Sequence, residues 1–342
     1  MTPVEDFDPC TASPEDQRAW CVVASEVDQE QRPGEPVRPL DSHLARLLGK
    51  DHAWTEHHWV ARDTGGEIVG IATASSPNAP ENRDLLFLEV GVLPARRRER
   101  VGSALAHAAT AYGRTQGREL VTVEAKSGGP GSAFLAAHGA EQKTVERRSL
   151  LDLRAVDVDA LLQWGQPKPG ASDRYTLVQW RDTTPEELVS DHADMRTAMN
   201  DAPRESLELE DEIYTDERIR AYEATIAGRG DELWVTCARE EQSGRLVALT
   251  DLNGPSGWPE FAFQEDTVVL SEHRGHGLGR WIKAANLAFL LADRPSTEWV
   301  QTFNAEVNRH MLDVNEAMGF RAADEWGEWQ VSADRLEQSF RR

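Results

Sequence analysis

Cysteine is scarce: the 342 residues contain three, Cys10, Cys21 and Cys237. An odd count without paired spacing excludes a disulfide framework and a cysteine zinc site, and no other metal-ligand spacing occurs. Positive charge is also short, with 37 Lys and Arg against 59 Asp and Glu and a net charge of −22. That balance repels phosphodiester backbones and anionic lipid, so no nucleic-acid or membrane partner is expected. Long apolar runs are absent, and none nears the roughly 18 residues of a membrane span. The opening MTPVEDFDPC lacks the apolar stretch of a secretory leader, and the expected location is a reducing cytoplasm. What is present is a composition 39% hydrophobic and 28% charged, enough to bury a core. The length corresponds to about two domains at roughly 150 residues each.

Two prolines and two glycines in Trp164–Asp173, WGQPKPGASD, mark a linker at 164–173 between an N-terminal domain, 1–163, and a C-terminal domain, 174–342. The halves repeat one plan. Each has a hairpin pattern, WVARDTGGEIVGIATAS and then ELWVTCAREEQSGRLVALTDL. Each continues with an apolar strand, an Arg-containing turn and a long helix with apolar residues at helical spacing. A further strand, a shorter helix closing on Gly and a last strand complete both. Arg97 and Arg274 lie 177 residues apart, Gly139 and Gly319 180 apart, as an internal duplication requires.

The most informative stretch is HRGHGLGR, His273 to Arg280. It follows the strand VVL and opens a helix, so its amides should crown a helix N-terminus and form an anion site. Gly275, Gly277 and Gly279 would let a diphosphate approach the backbone, and Arg274 and Arg280 would add charge. The order G-x-G-x-G is neither the dinucleotide fingerprint nor a Walker loop. Arg274-Gly275-His276-Gly277-Leu278-Gly279 resembles motif A, R/Q-x-x-G-x-G/A, of the GNAT acyltransferase superfamily. Thr302–Phe320 resembles that superfamily's next strand and helix, with an Asn opening the helix and Gly319-Phe320 closing it. The resemblance covers essentially the whole chain as a tandem pair, similar in layout to mycothiol synthase.

It implies an α/β (mixed α+β) fold of two GNAT-like domains. Each would be a mostly antiparallel sheet with a central splayed strand pair flanked by helices. It also implies acetyl-CoA as co-substrate, with no metal. Arg274 to Arg280 would hold the diphosphate, and Asn304 and Asn308 would lie beside the pantetheine arm. A backbone N–H at Val269 or Leu270 would polarise the thioester. Glu265 or Asp266 would take the amine's proton, with alternation along the strand turning only one of them to the cleft. The general acid is unassigned, because Asn315 stands where the superfamily often has Tyr and His310 is a lone helical His.

In the first half Arg100 replaces Gly277, Gly128 replaces Asn308 and Leu135 stands at the Tyr position, so that copy reads as degenerate. Glu89 on its matching strand leaves open a ligand there. His52, His57 and His58 have no metal-ligand spacing and read as a polar segment beside the first hairpin. Asn200, Asp201, Glu210 and Tyr214 are candidates to shape the acceptor pocket. The expected activity is N-acetyl transfer to the primary amine of a small molecule, and the acidic balance favours a cationic one. The alternatives are a non-catalytic acyl-CoA-binding protein and a peptide or protein N-acyltransferase. The expected assembly is a monomer acting as its own pseudo-dimer, or a homodimer.

Overall fold

Local chemistry sets the element boundaries in the computed structural model, which describes residues 3–340. After β1 (Val4–Phe7), Ser13 caps α1 (Pro14–Gln31) by accepting from the Asp16 N–H, with Pro at the first helical position. Then follow α2 (Leu40–Leu48), β2 (Trp54–Arg62), β3 (Ile68–Pro77), β4 (Leu85–Val92), α3 (Val101–Thr115), β5 (Leu120–Lys126), α4 (Pro130–Ala137), β6 (Glu141–Asp152) and α5 (Val158–Gly165). The second half comprises β7 (Tyr175–Arg181), α6 (Val189–Thr197), α7 (Asp216–Gly228), β8 (Asp231–Glu240), β9 (Leu246–Pro255), β10 (Phe261–Val269), α8 (Leu278–Asp293), β11 (Trp299–Ala305), α9 (Arg309–Met318), β12 (Arg321–Ser332) and α10 (Ala333–Ser339). The duplication inferred from spacing holds element by element from β2 to β6 and from β8 to β12. Among the described residues no helix is long and apolar enough to cross a membrane.

The chain divides into two compact units that cut across the contiguous segments 1–163 and 174–342. One comprises residues 1–146, 205–210 and 325–342; the other comprises 147–204 and 211–324. In the first unit the sheet order is β1-β2-β3-β4-β5-β12, so the last strand of the chain pairs antiparallel with β5, Trp326 opposite Lys126 through Ser332 opposite Leu120. In the second the order is β6-β11-β10-β9-β8-β7, so the later part of β6 serves the second half. Each half thus gives its closing strand to the other unit. The pairs β4–β5 and β10–β11 are parallel; the hairpins are antiparallel.

The core of the first unit gathers Trp59, Leu86, Leu88, Leu105, Val121 and Val331. In the second, Leu151, Leu252, Ala262, Leu287, Val300 and Phe320 pack together. The Pro- and Gly-rich 164–173 stretch is not a free spacer. The Lys168 N–H donates to the His276 carbonyl at 3.0 Å, and the Gln166 carbonyl accepts from Arg280 Nη2 at 3.0 Å. A Cβ on Gly165 would come 2.5 Å from the Ala284 Cβ, so glycine is what lets α5 lie against α8. The His-rich segment is β2 itself: His57 bonds Asp6 at 3.0 Å and His58 bonds Thr73 at 3.0 Å.

Candidate active site

The mouth of α8 is built by backbone conformation. Gly275 and Gly277 hold φ of +83° and +82°, in the left-handed region that only glycine adopts freely, and Gly277 is the N-cap. The Trp281 N–H is bonded to the Gly277 carbonyl at 3.2 Å. The amides of Leu278, Gly279 and Arg280 therefore precede the first intrahelical bond and suit an anion. The Leu278 side chain is core, 1% exposed. A Cβ on Gly279 would stand 3.7 Å from Val269 Cγ2, an ordinary contact. His276 keeps its ring 5.7 Å from that of Tyr175. Arg274 does more than carry charge: its Nε donates to the Val269 carbonyl at 2.9 Å and its Nη2 to Asp201 at 3.2 Å, bracing the strand end. Arg280 Nε is buried without a hydrogen-bond partner among the described residues.

Beyond the mouth the strands part. β10 pairs with β11 only from Phe261 opposite Trp299 to Gln264 opposite Thr302. On its other edge the Leu270 N–H donates to the Val247 carbonyl at 3.0 Å. Hydrogen-bonded and non-bonded pairs alternate in an antiparallel ladder, so the Val269 N–H, next in register opposite Ala248, points away from β9 into the gap. Of the two expected donors, Leu270 is consumed and Val269 is the one directed at the opening.

A bulge decides the carboxylates. Gln264 faces Leu252 and Thr267 faces Thr250, so Glu265 and Asp266 together oppose Asp251. Strict alternation, which would turn only one of them to the cleft, fails here, and both are held. Asn253 Nδ2 donates to Glu265 Oε1 at 2.9 Å, while Arg196 bonds Asp266 and, at 2.6 Å, Asp251. Tyr222 donates to the same Asp251 oxygen at 3.1 Å, and the other oxygen of this fully buried carboxylate has no partner among the described residues. Glu265 is exposed, with Asn253 held against its carboxylate. Desolvation pushes its pKa up to about 7, the negative charges of Asp251 and Asp266 add to this, and Asn253 and Arg196 oppose it. Burial also works against the charge of Arg196, yet Asp251 leads the carboxylates and tyrosines that hold it protonated.

The asparagines lie at the far wall. Asn308 spends its side-chain oxygen on the Met311 N–H at 3.3 Å, capping α9, which leaves only its amide N–H groups for a ligand. Asn315 is 2% exposed and donates to Asn304 Oδ1 at 2.6 Å, so it orients Asn304 and supplies no acid. Among the acceptor-pocket candidates, Asn200 binds the Glu212 backbone, Asp201 binds Arg274 and Tyr214 stacks with Arg218. Glu210 belongs to the first unit, where it accepts from the Asn82 N–H.

Residues 23–139 match the model of the acetyltransferase (GNAT) family. A solved tandem GNAT protein from the clavulanic acid biosynthesis pathway is 28% identical, with a TM-score of 0.79 over 97% of this chain and 99% of that one. The chain has a tandem GNAT layout. A GCN5-related N-acetyltransferase from Sphaerobacter thermophilus shares the fold at 13% identity and TM-score 0.67, covering 97% of this chain and 95% of that one. A fungal glucosamine N-acetyltransferase region within a multi-domain protein does so at 16% and 0.67, covering 97% of this chain and 38% of that one. No curated protein sequence matches the chain.

The family match falls on the first GNAT half, whereas motif A was read in the second. The two halves share their frame. Arg97 Nε donates to the Val92 carbonyl at 3.3 Å, as Arg274 does to Val269. Arg98 and Arg100 adopt φ of 67° and 64°, the conformations of Gly275 and Gly277, with side chains attached. What the first GNAT half lacks is the bulge. β3 and β4 run in unbroken register from Gly70 opposite Val92 to Ser75 opposite Phe87, so a single carboxylate, Glu89 opposite Thr73, stands where Glu265 and Asp266 together oppose Asp251 in the second. Asp251, Arg196, Asn253 and Tyr222 were not anticipated; a lone Asp in the buried strand LVALTDLNGP was the available signal.

Proposed function

We propose that this tandem GNAT protein is an acetyl-CoA-dependent N-acetyltransferase. Its second half carries turnover, and its acceptor is the primary amine of a small, cationic molecule. The observation that carries the reading is the bulge in β10: it sets Glu265, with a pKa of about 7, on the strand whose Val269 N–H faces the gap. A group poised there can accept a proton at neutral pH and still be ionised when an ammonium arrives. Arg196 bonds both Asp251 and Asp266, which leaves Glu265, bonded to the neutral Asn253, as the carboxylate that meets the ammonium.

The thioester substrate supplies an electrophilic acyl carbon and a thiolate leaving group. The amides of Leu278 to Arg280 suit its diphosphate, and Asn304, with its oxygen held by Asn315, keeps amide N–H groups for the arm. Val269 would donate to the carbonyl oxygen as charge develops there. Glu265 takes the amine's proton directly or through one water. With Asn315 committed to Asn304, solvent reprotonates the thiolate. A small-molecule acceptor also agrees with the tandem GNAT protein of the clavulanic acid pathway. The same reading puts the enzyme in the cytoplasm, where the coenzyme is available.

The test is thiol release from acetyl-CoA over a panel of amines, with wild type and Glu265→Gln. Amine-dependent release that falls about 10²- to 10⁴-fold in the variant, with coenzyme affinity kept, is expected. Coenzyme binding without release over the whole panel would instead make the protein a non-catalytic binder.

A further inference from the structure

Between Asp201 and α7 the chain runs without a helix or strand, yet three side-chain amides read its backbone at every second residue. The Glu208 N–H donates to Gln330 Oε1 at 3.0 Å, and Gln330 Nε2 donates to the Glu208 carbonyl at 3.4 Å. Asn82 treats Glu210 the same way, at 2.8 and 3.4 Å, and Asn200 treats Glu212 so, at 3.1 and 2.8 Å. The Tyr214 N–H keeps the period, donating to Thr197 Oγ1 at 3.0 Å. Along a strand edge every second residue presents its N–H and C=O to one side. Here side chains take the place of the neighbouring strand. Asn82 and Gln330 are 6% and 2% exposed, so an amide that lost its partner would be left unsatisfied in the interior.

The segment changes unit part-way along. Residues 205–210, with Asn82 and Gln330, belong to the first unit; residues 211–214, with Thr197 and Asn200, belong to the second. Three further bonds secure it in the first unit. The Asn82 N–H donates to Glu210 Oε2 at 2.8 Å, Lys143 to Glu208 at 3.2 Å, and Ser206 Oγ to the Lys143 carbonyl at 2.7 Å. In the second unit, each residue that holds the segment adjoins one that grips β10. Arg196, next to Thr197, bonds Asp266 and Asp251. Asp201, next to Asn200, accepts from Arg274, whose Nε holds the Val269 carbonyl. The end of α6 and the turn Ala198–Asp201 are thus bonded to the segment on one side and to β10, around Glu265 and Val269, on the other.

We propose that residues 205–214 are a strap, and that Asn82 and Gln330 of the first unit are positioning residues for amine binding in the second half. They act through the strap on Asn200 and Thr197, and so on the strand that carries Glu265 and Val269. The proposal rests on the second half being the site of turnover, and it gives the first unit a task other than chemistry.

Two variants of the full-length protein test this. Asn82 sits at φ of 56°, so Asn82→Gly removes the amide without straining the backbone. Gln330→Met removes the other and keeps an unbranched side chain. Each should raise the KM for the amine about fivefold or more, with kcat and acetyl-CoA affinity within about twofold of wild type. A merely structural loss would lower kcat through the active fraction and leave that KM alone. Hydrogen exchange of the unliganded protein supplies a readout independent of activity. Asn82→Gly should speed exchange about tenfold or more at 207–210 and carry the effect to 212–214 and 195–201. Faster exchange confined to 205–210, or an amine KM equal to wild type in both variants, would overturn the assignment. A wild type that releases no thiol with any amine would instead refute turnover in the second half, and the spread of exchange would still decide whether the strap transmits.

Discussion

Arg98 and Arg100 hold left-handed conformations that their counterparts Gly275 and Gly277 adopt without steric cost. Replacing either arginine by glycine should stabilise the first unit, by up to about 1 kcal/mol once the added freedom of the unfolded chain is counted. Thermal melting of Arg98→Gly and Arg100→Gly checks this, and a loss of stability would mean the side chains make compensating contacts. Glu328 has the opposite character to an ion-paired acid. Its folded pKa of about 8 exceeds the unfolded value of about 4.3, so the native state holds its proton more tightly. The stability this contributes is present below the unfolded pKa and is lost as pH rises through about 8. Glu328→Gln should therefore flatten the fall of melting temperature between about pH 5 and pH 9; an unchanged fall would show that Glu328 is already ionised in the fold. At this scale the sequence is informative about type and position: spacing singles out the glycines, and the resemblance narrows the base to Glu265 or Asp266. Asn308 and Arg274 could not be read fully, because what each side chain bonds depends on neighbours distant in the chain.

Elements were legible wherever period and punctuation agree. The strand-turn-helix repeats and the closing glycines, Gly139 and Gly319 with φ of +82° and +105°, stand where the pattern put them. The β10 bulge was not legible, since a bulge adds one residue to a strand without demanding a particular side chain. It nonetheless governs the site, because it brings two carboxylates opposite Asp251 where regular pairing would bring one. How the linker docks is not legible for a related reason: Pro and Gly mark the end of a helix, but whether the following segment docks is set by what it meets. Gly165 meets Ala284, so Gly165→Val should cost several kcal/mol through overpacking and displacement of α5. A chemical-denaturation midpoint equal to wild type would contradict that packing.

For the whole molecule, the sequence pattern reveals the number of strands and which face each buries, but not which strand lies beside which. That is why two contiguous domains were read where the units exchange closing strands. β12 completes the unit that contains β5, and the later part of β6 completes the unit that contains β11. Residues 1–163 and 174–342 made separately should each be left with an unsatisfied sheet edge and aggregate, whereas co-expression should recover soluble protein. Two independently soluble, cooperatively melting fragments would argue against exchange.

The claim on which the functional account turns is that the second half performs acyl transfer with Glu265 as base. The most direct measurement is the pH dependence of kcat/KM for amine-dependent thiol release in wild type and Glu265→Gln. The account predicts a wild-type rate that rises with pH through about 7 and levels off above it, and a variant that is slow at every pH and lacks that limb. A variant with the wild-type rate and the same limb would contradict it.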